Sequence, residues 1–164
     1  MARPLNRASY RVRQAFAGTF GRVDPGAATE AANELPVTLR PLFDEMRARD
    51  QRHAILVLQR LGPATEVLRH AALLHDVGKV RAYLGTPGRT LVVLAGATHT
   101  LGLVSRLPAI GPRVSRYVRH PQLGAEMLRD AGASALLVEI VAEHQAARPR
   151  HPETLRLQAA DGDE

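Results

Sequence analysis

The chain contains no cysteine and no tryptophan. The missing cysteine excludes disulfides, thiolate metal sites, iron–sulfur centres and a cysteine nucleophile. Any bound metal must be held by His, Asp, Glu and water, a donor set that suits Mn, Fe, Mg, Ni or Zn. Aromatic residues make up only 4% of the 164 residues, against 45% apolar residues in all. The core must therefore be built from Leu, Val, Ala and Ile, which favours packed helices over a β-sandwich. Lysine is nearly absent as well: of 22 basic residues, only Lys79 is not arginine. A compact ammonium kept among so many guanidinium groups marks a place that arginine would not fit.

Acidic residues are missing from two stretches. Residues 1–22 hold five Arg and no Asp or Glu, and residues 81–119 hold six Arg and none. These stretches carry +11 of a net charge of +6, so the remainder sums to −5. Two basic regions on a mildly acidic body suggest an anionic partner, with solvated arginine faces as the plainer explanation. The basic N-terminus has no continuous apolar segment, so no secretory signal is expected and a cytoplasmic location is.

Residues 1–34 read as a basic arm, with a short helix from about Arg7 to Phe20 and a turn at Asp24-Pro25-Gly26. Residues 35–164 read as one domain of adequate size for a core. Leu39, Leu42, Phe43 and Met46 recur at helical spacing. A helix opened by His53 should stop at Gly62-Pro63, and the next, capped by Thr65, should run to about Val77 with Gly78 as its stop. Residues 85–89 read as a loop. The apolar stretch Thr90–Leu107 contains Gly96, His99 and Gly102, which argues against a membrane span and for a buried helix. It is a plausible homodimer face, with an interfacial membrane contact as the lesser alternative. Helices are expected from His120-Pro121 to about Gly132, from Ser134 to about Gln145, and from about Glu153 to Ala160. No strand pattern is convincing, so the fold class is all-α.

Seven histidines are present. Taken singly, His70, His99 and His151 read as ordinary polar residues. Four others, with two aspartates, fall near helix ends: His53, His75 with Asp76, His120, His144 and Asp161. Residues far apart in sequence but at helix termini can converge on one point in a bundle. An adjacent His-Asp pair offers a directional nitrogen and a carboxylate able to bridge two cations.

The segment His75-Asp76-Val77-Gly78-Lys79 resembles the central HDxGK motif of the HD-domain superfamily of metal-dependent phosphohydrolases. His120-Pro121-Gln122-Leu123-Gly124-Ala125 resembles its HPxxGA element. Glu143-His144 is similar to its later histidine and Ala159-Ala160-Asp161 to its closing aspartate, and His53 precedes the pair by 22 residues. The resemblance covers about residues 50–161. It implies an HD-domain-like helical bundle over residues 35–164, holding one or two divalent metal ions. His53, His75, Asp76 and Asp161 would ligate the first, and His120 and His144 the second, with Asp76 bridging. Asp163 is an alternative to Asp161.

What the resemblance implies for function is hydrolysis of a phosphomonoester or phosphodiester of nucleotide-like type, by attack of a metal-held hydroxide on phosphorus. Asp76 and Lys79 are the catalytic candidates, Lys79 reaching a phosphate oxygen. Glu143 is weighed as a ligand-orienting group, against a solvent-facing role. The chain lacks the Gly-Tyr-Pro segment of HD-GYP phosphodiesterases, with Gln145 where those show a second histidine. It also lacks the Glu-Asp pair of guanosine tetraphosphate hydrolases and the HDxxE pattern of the nucleoside monophosphatase branch. The alternative reading is a non-catalytic HD module that binds a metal or nucleotide and acts through a partner. Nucleic acid is disfavoured as a partner, since aromatic residues do not interleave with the arginines.

Overall fold

A computed structural model describes residues 24–82, 84–97, 100–108 and 110–162. The expected helix Arg7–Phe20, His99 and Asp163 lie outside the described residues. The elements are α1 (Pro25–Glu34), α2 (Arg40–Asp44), α3 (Ala48–Leu61), α4 (Glu66–Leu74), a 3-10 turn (Val77–Val80), α5 (Thr86–Ala97), α6 (Leu101–Val104), α7 (Gly111–Val118), α8 (His120–Asp130), α9 (Ala135–Glu143) and α10 (Pro152–Gly162). No strand occurs among the described residues.

Helix α4 lies at the centre. Leu68 and every residue from His70 to Gly78 are buried, because the apolar run Ala71–Leu74 carries the second half of the helix into the core. It packs against α2, α3, α9 and α10, while the 3-10 turn that follows packs against α8. Phe43, Leu68, Leu73, Leu74, Leu128, Ile140 and Leu157 are fully enclosed. Local chemistry sets the ends of these helices. Thr65 Oγ1 accepts from Leu68 N at 3.3 Å, and Ser134 Oγ accepts from Leu137 N at 3.3 Å. Helix α8 closes with Gly132 at φ 78°, as Ala133 N donates to Leu128 O at 3.0 Å and Gly132 N to Arg129 O at 3.1 Å. This pair of bonds needs a left-handed residue at the position glycine occupies.

Several sequence-based expectations change. Asp24-Pro25-Gly26 is not a turn but the start of α1: Asp24 accepts from Ala27 N at 2.8 Å, and proline suits a first helical position. Ala31 of this helix is buried in the core, so the chain contributes packing before residue 35. His53 does not open a helix but sits in the second turn of α3. The 85–89 segment is not a loop, since α5 begins at Thr86 and the first turn tolerates proline. Thr90–Leu107 is not one buried helix. It divides between α5 and α6, with Leu94 59% exposed, Leu103 67% and Leu107 50%.

Gly78 does not stop α4, which already ends at Leu74. It lies in the 3-10 turn, where a Cβ would stand 2.0 Å from His120 O and 2.6 Å from Gly124 N. Only glycine lets the backbone of α8 approach so closely, and that approach brings His120 to Asp76. Gly78→Ala should therefore cost at least the ~3 kcal/mol upper end of overpacking penalties. The change would appear as a lower urea midpoint, and an unchanged midpoint would mean that α8 yields freely.

Candidate metal centre

Three of the histidines are placed by the same local device. His75 follows α4 as its cap, His144 follows α9 as its cap, and His120 comes two residues after α7. The last carbonyls of a helix lack intrahelical donors. Each of these imidazoles takes one, with Nδ1 donating to the carbonyl three residues earlier: Ala72 O at 2.9 Å, Tyr117 O at 2.7 Å and Val141 O at 2.8 Å. A carbonyl can only accept, so the proton sits on Nδ1 and Nε2 is left with its lone pair facing inward.

These Nε2 atoms converge around Asp76, which occupies the junction between α4 and the 3-10 turn. Asp76 Oδ1 lies 3.1 Å from His120 Nε2 and 3.9 Å from His144 Nε2. Asp76 Oδ2 lies 3.5 Å from His75 Nε2 and 3.9 Å from His53 Nε2. Asp161 Oδ1, from the last turn of α10, is 2.9 Å from His53 Nε2 and 3.7 Å from His75 Nε2. Two triads result, His53 with His75 and Asp161, and Asp76 with His120 and His144, each with its ligand atoms within 4.8 Å of one another. One carboxylate oxygen of Asp76 faces each triad. All six expected ligands are thus brought together.

The two triads differ in access. His75, Asp76, His120 and His144 are buried, whereas the side chains of His53 and Asp161 keep 20% and 28% exposure. The first triad therefore opens to solvent and the second is enclosed.

The donor set fits a cation on the structure's own terms. His120 Nε2 and His144 Nε2 are buried with no hydrogen-bond partner among the described residues. The 3.1 Å approach of His120 Nε2 to Asp76 sets a lone pair against a carboxylate oxygen, which is not a hydrogen bond. His53 Nε2, by contrast, donates to Asp161 Oδ1 at 2.9 Å and lies 3.3 Å from His75 Nε2. Buried acceptors left without a donor, as in His120 and His144, are costly without a positive centre beside them. The atoms are all nitrogen and oxygen, which suits a hard or borderline divalent ion.

Lys79 supplies one positive charge. Its Nζ pairs with Asp76 Oδ2, leaving the two orphaned nitrogens unserved. Burial by itself would raise the Asp76 carboxyl, but the Lys79 ammonium beside it outweighs this and holds the group well below the ordinary carboxylate range. Burial would likewise lower the Lys79 ammonium, and the Asp76 charge reverses this and raises it. Burial lowers His75, and burial with the neighbouring His75 takes His144 down to about 3. Both rings are therefore neutral at pH 7, the form that binds metal.

This has a consequence for acid stability. His75 and His144 stay neutral in the fold, whereas the unfolded chain protonates them below about 6.5, so the unfolded state binds more protons and stability rises with pH there. Metal-free protein should lose stability as pH falls from about 6.5, and Asp76 and Asp161, both depressed from 3.8, add a further loss at lower pH. Asp50, raised by burial, opposes this last loss. The check is the melting temperature in chelator between pH 7.5 and 4.5. A flat profile would mean that the histidines are not held neutral.

Two neighbours escaped the sequence reading. Asp50 is 6% exposed and sits one turn before His53 on α3, within electrostatic reach of Lys79 and Asp76. Tyr117 holds His120 through its carbonyl, and its ring lies 5.6 Å from the His120 ring and 6.0 Å from Lys79 Nζ. Their signal was spacing alone, each three residues before one of the converging histidines. Glu143 does not orient a ligand: it accepts from Arg150 N at 2.8 Å and from Arg150 Nε at 2.5 Å, fixing the loop before α10. His70 bonds Glu34 O at 3.0 Å and His151 accepts from Glu153 N at 3.3 Å, as ordinary polar residues do.

Comparison with protein families finds a match to the HD domain over residues 51–163, a span that contains all six converging residues and Lys79. Comparisons with curated proteins and with solved structures find no match. The matched span is well over half of the molecule, and the chain belongs to the HD domain family.

Proposed function

We propose that this protein is a metal-dependent phosphohydrolase acting on a phosphomonoester or phosphodiester of nucleotide-like type. What supports this most is the pair of triads that meet at Asp76, with the buried Nε2 atoms of His120 and His144 left unpartnered. His53, His75, Asp161 and Asp76 Oδ2 would hold one divalent ion, and His120, His144 and Asp76 Oδ1 a second. Bound there, divalent metal ions supply Lewis acidity toward phosphate oxygens and lower the pKa of water. The chain's own groups do the rest. The carbonyls of Ala72, Tyr117 and Val141 hold three imidazoles in one tautomer and orientation. The exposed edge formed by His53 and Asp161 is where a substrate phosphate enters. Lys79, 15% exposed at its side chain, offers an ammonium to a phosphate oxygen and neutralises charge that develops there.

The test is metal content per chain, followed by hydrolysis of p-nitrophenyl phosphate and bis(p-nitrophenyl) phosphate after loading with Mn. Two metals per chain with hydrolysis of either probe is the expected outcome. Metal uptake without turnover of these probes or of nucleotides would favour a non-catalytic HD module that signals through a partner. No uptake at all would sink the hydrolase and leave a degenerate HD module as the better account.

A further inference from the structure

The segment from α5 to α7 presents large apolar side chains and arginines together on the outside of the protein. Leu94 of α5, Leu103 of α6 and Leu107 just beyond it are each at least half exposed. Arg106, Arg113 and Arg116 are exposed as well. Residues 81–119 contain no Asp or Glu to offset them. Backbone geometry joins the end of α6 to α7 in one corner, and Thr100 N, donating to Ala95 O at 2.8 Å, ties the end of α5 to it. Arg106 N donates to Leu103 O at 3.1 Å, Leu107 N to Val104 O at 3.2 Å, and Gly111 N to Leu107 O at 2.7 Å. A Cβ on Gly111 would stand 2.2 Å from Ser105 O, so α7 begins directly against the end of α6. Gly111 and Val114 face inward, which turns Arg113 and Arg116, one helical turn apart, toward solvent.

We propose that this corner docks on an anionic phospholipid surface, with Leu94, Leu103 and Leu107 at the acyl boundary and Arg106, Arg113 and Arg116 on headgroup phosphates. Exposed leucines beside cations with no carboxylate among them match a surface that is apolar below and negative above. A guanidinium on a long apolar stem can reach phosphate while its methylenes stay in the boundary. A second copy of the chain fits less well, because a symmetric contact would set arginines against arginines. A nucleic acid would neutralise the arginines but leave the leucines in water. Among the described residues no helix is long and apolar enough to cross a membrane. The inference is independent of the hydrolase reading.

Flotation of the full chain with phosphatidylcholine vesicles, with and without phosphatidylserine, tests this. Binding is expected only when phosphatidylserine is present, and it should weaken with added salt. The double variant Leu103→Glu/Leu107→Glu changes exposed positions and should abolish flotation while the thermal melt stays in place. Arg106→Gln and Arg113→Gln should each lower the partition coefficient roughly fivefold, the equivalent of about 1 kcal/mol per cation near an anionic surface. These milder variants keep the test open should the glutamates disturb folding. Four results would overturn the proposal. One is no vesicle binding. Another is binding unchanged by both sets of variants and lost only on replacing Arg3, Arg7, Arg11 and Arg13, which would place the anchor in the N-terminal segment. A third is a dimer in solution that the leucine variant splits while vesicles are ignored, which would assign the face to a second copy. The last is tight binding of single-stranded RNA that outcompetes vesicles and survives the leucine change.

Discussion

On the proposed hydrolase reading, Asp76→Asn is expected to leave the protein folded but without metal and without phosphohydrolase activity. The amide has nearly the shape of the carboxylate, and its NH2 can donate to the His120 Nε2 that Asp76 Oδ1 approaches at 3.1 Å. The apo fold therefore gains a hydrogen bond where it had a lone-pair conflict. An asparagine cannot bridge two cations, because its NH2 has no lone pair to offer the ion on that side. The fall in activity should exceed about a hundredfold, since even outer groups that only orient metal ligands cost 10–100-fold. Metal analysis and hydrolysis assays on the same sample make the check. Two metals retained, or turnover within tenfold of the parent, would sink the bridging role of Asp76.

Lys79→Ala divides in the other direction. It removes the ammonium that pairs with Asp76 Oδ2 and leaves a buried carboxylate without its counter-charge. Breaking one side of a buried pair typically costs about 3–5 kcal/mol. That loss should appear in chelator, as a lower urea midpoint, and should shrink on adding Mn, because the cation then compensates Asp76. Metal content at saturation stays near the parent value, while kcat/KM drops on the order of a hundredfold through loss of the phosphate contact. Lys79→Arg should not restore activity, because a planar guanidinium cannot occupy the position of a compact ammonium close to Asp76. Loss of metal in Lys79→Ala at saturating Mn would make the lysine structural, and an unchanged kcat/KM would remove it from substrate binding.

Much of the helical layout was legible because its signals are short-range. Thr65 and Ser134 cap helices where a hydroxyl before an apolar run says they should. Gly62, at φ 65°, ends α3 where the Gly-Pro pair places a stop. The errors fell where a local signal had two meanings. Asp-Pro-Gly serves a turn and a helix start equally well, and Ala31 buried against the core decides for the helix. Gly78 looked like a C-terminal stop, but it is there because the backbone of α8 passes against it. Hydrophobicity favours a buried helix over Thr90–Leu107, yet Leu94, Leu103 and Leu107 are each at least half exposed.

The sequence by itself determined the chemistry open to this protein. With no cysteine and an ordered set of His and Asp residues, any metal must sit on imidazoles and carboxylates. Motif order also pointed to the family, because residue identity and spacing need no coordinates. The family resemblance already implied two groups with Asp76 between them; the tertiary structure decided that Asp76 turns Oδ1 to His120 and His144 and Oδ2 to His75 and His53. It also decided which nitrogen of His75, His120 and His144 is available, since that depends on a helix-end carbonyl lying within reach of Nδ1. Asp50 and Tyr117 became visible only there as well. The reason is physical: identity and spacing are properties of the chain, while convergence, burial and tautomer depend on which helix ends meet.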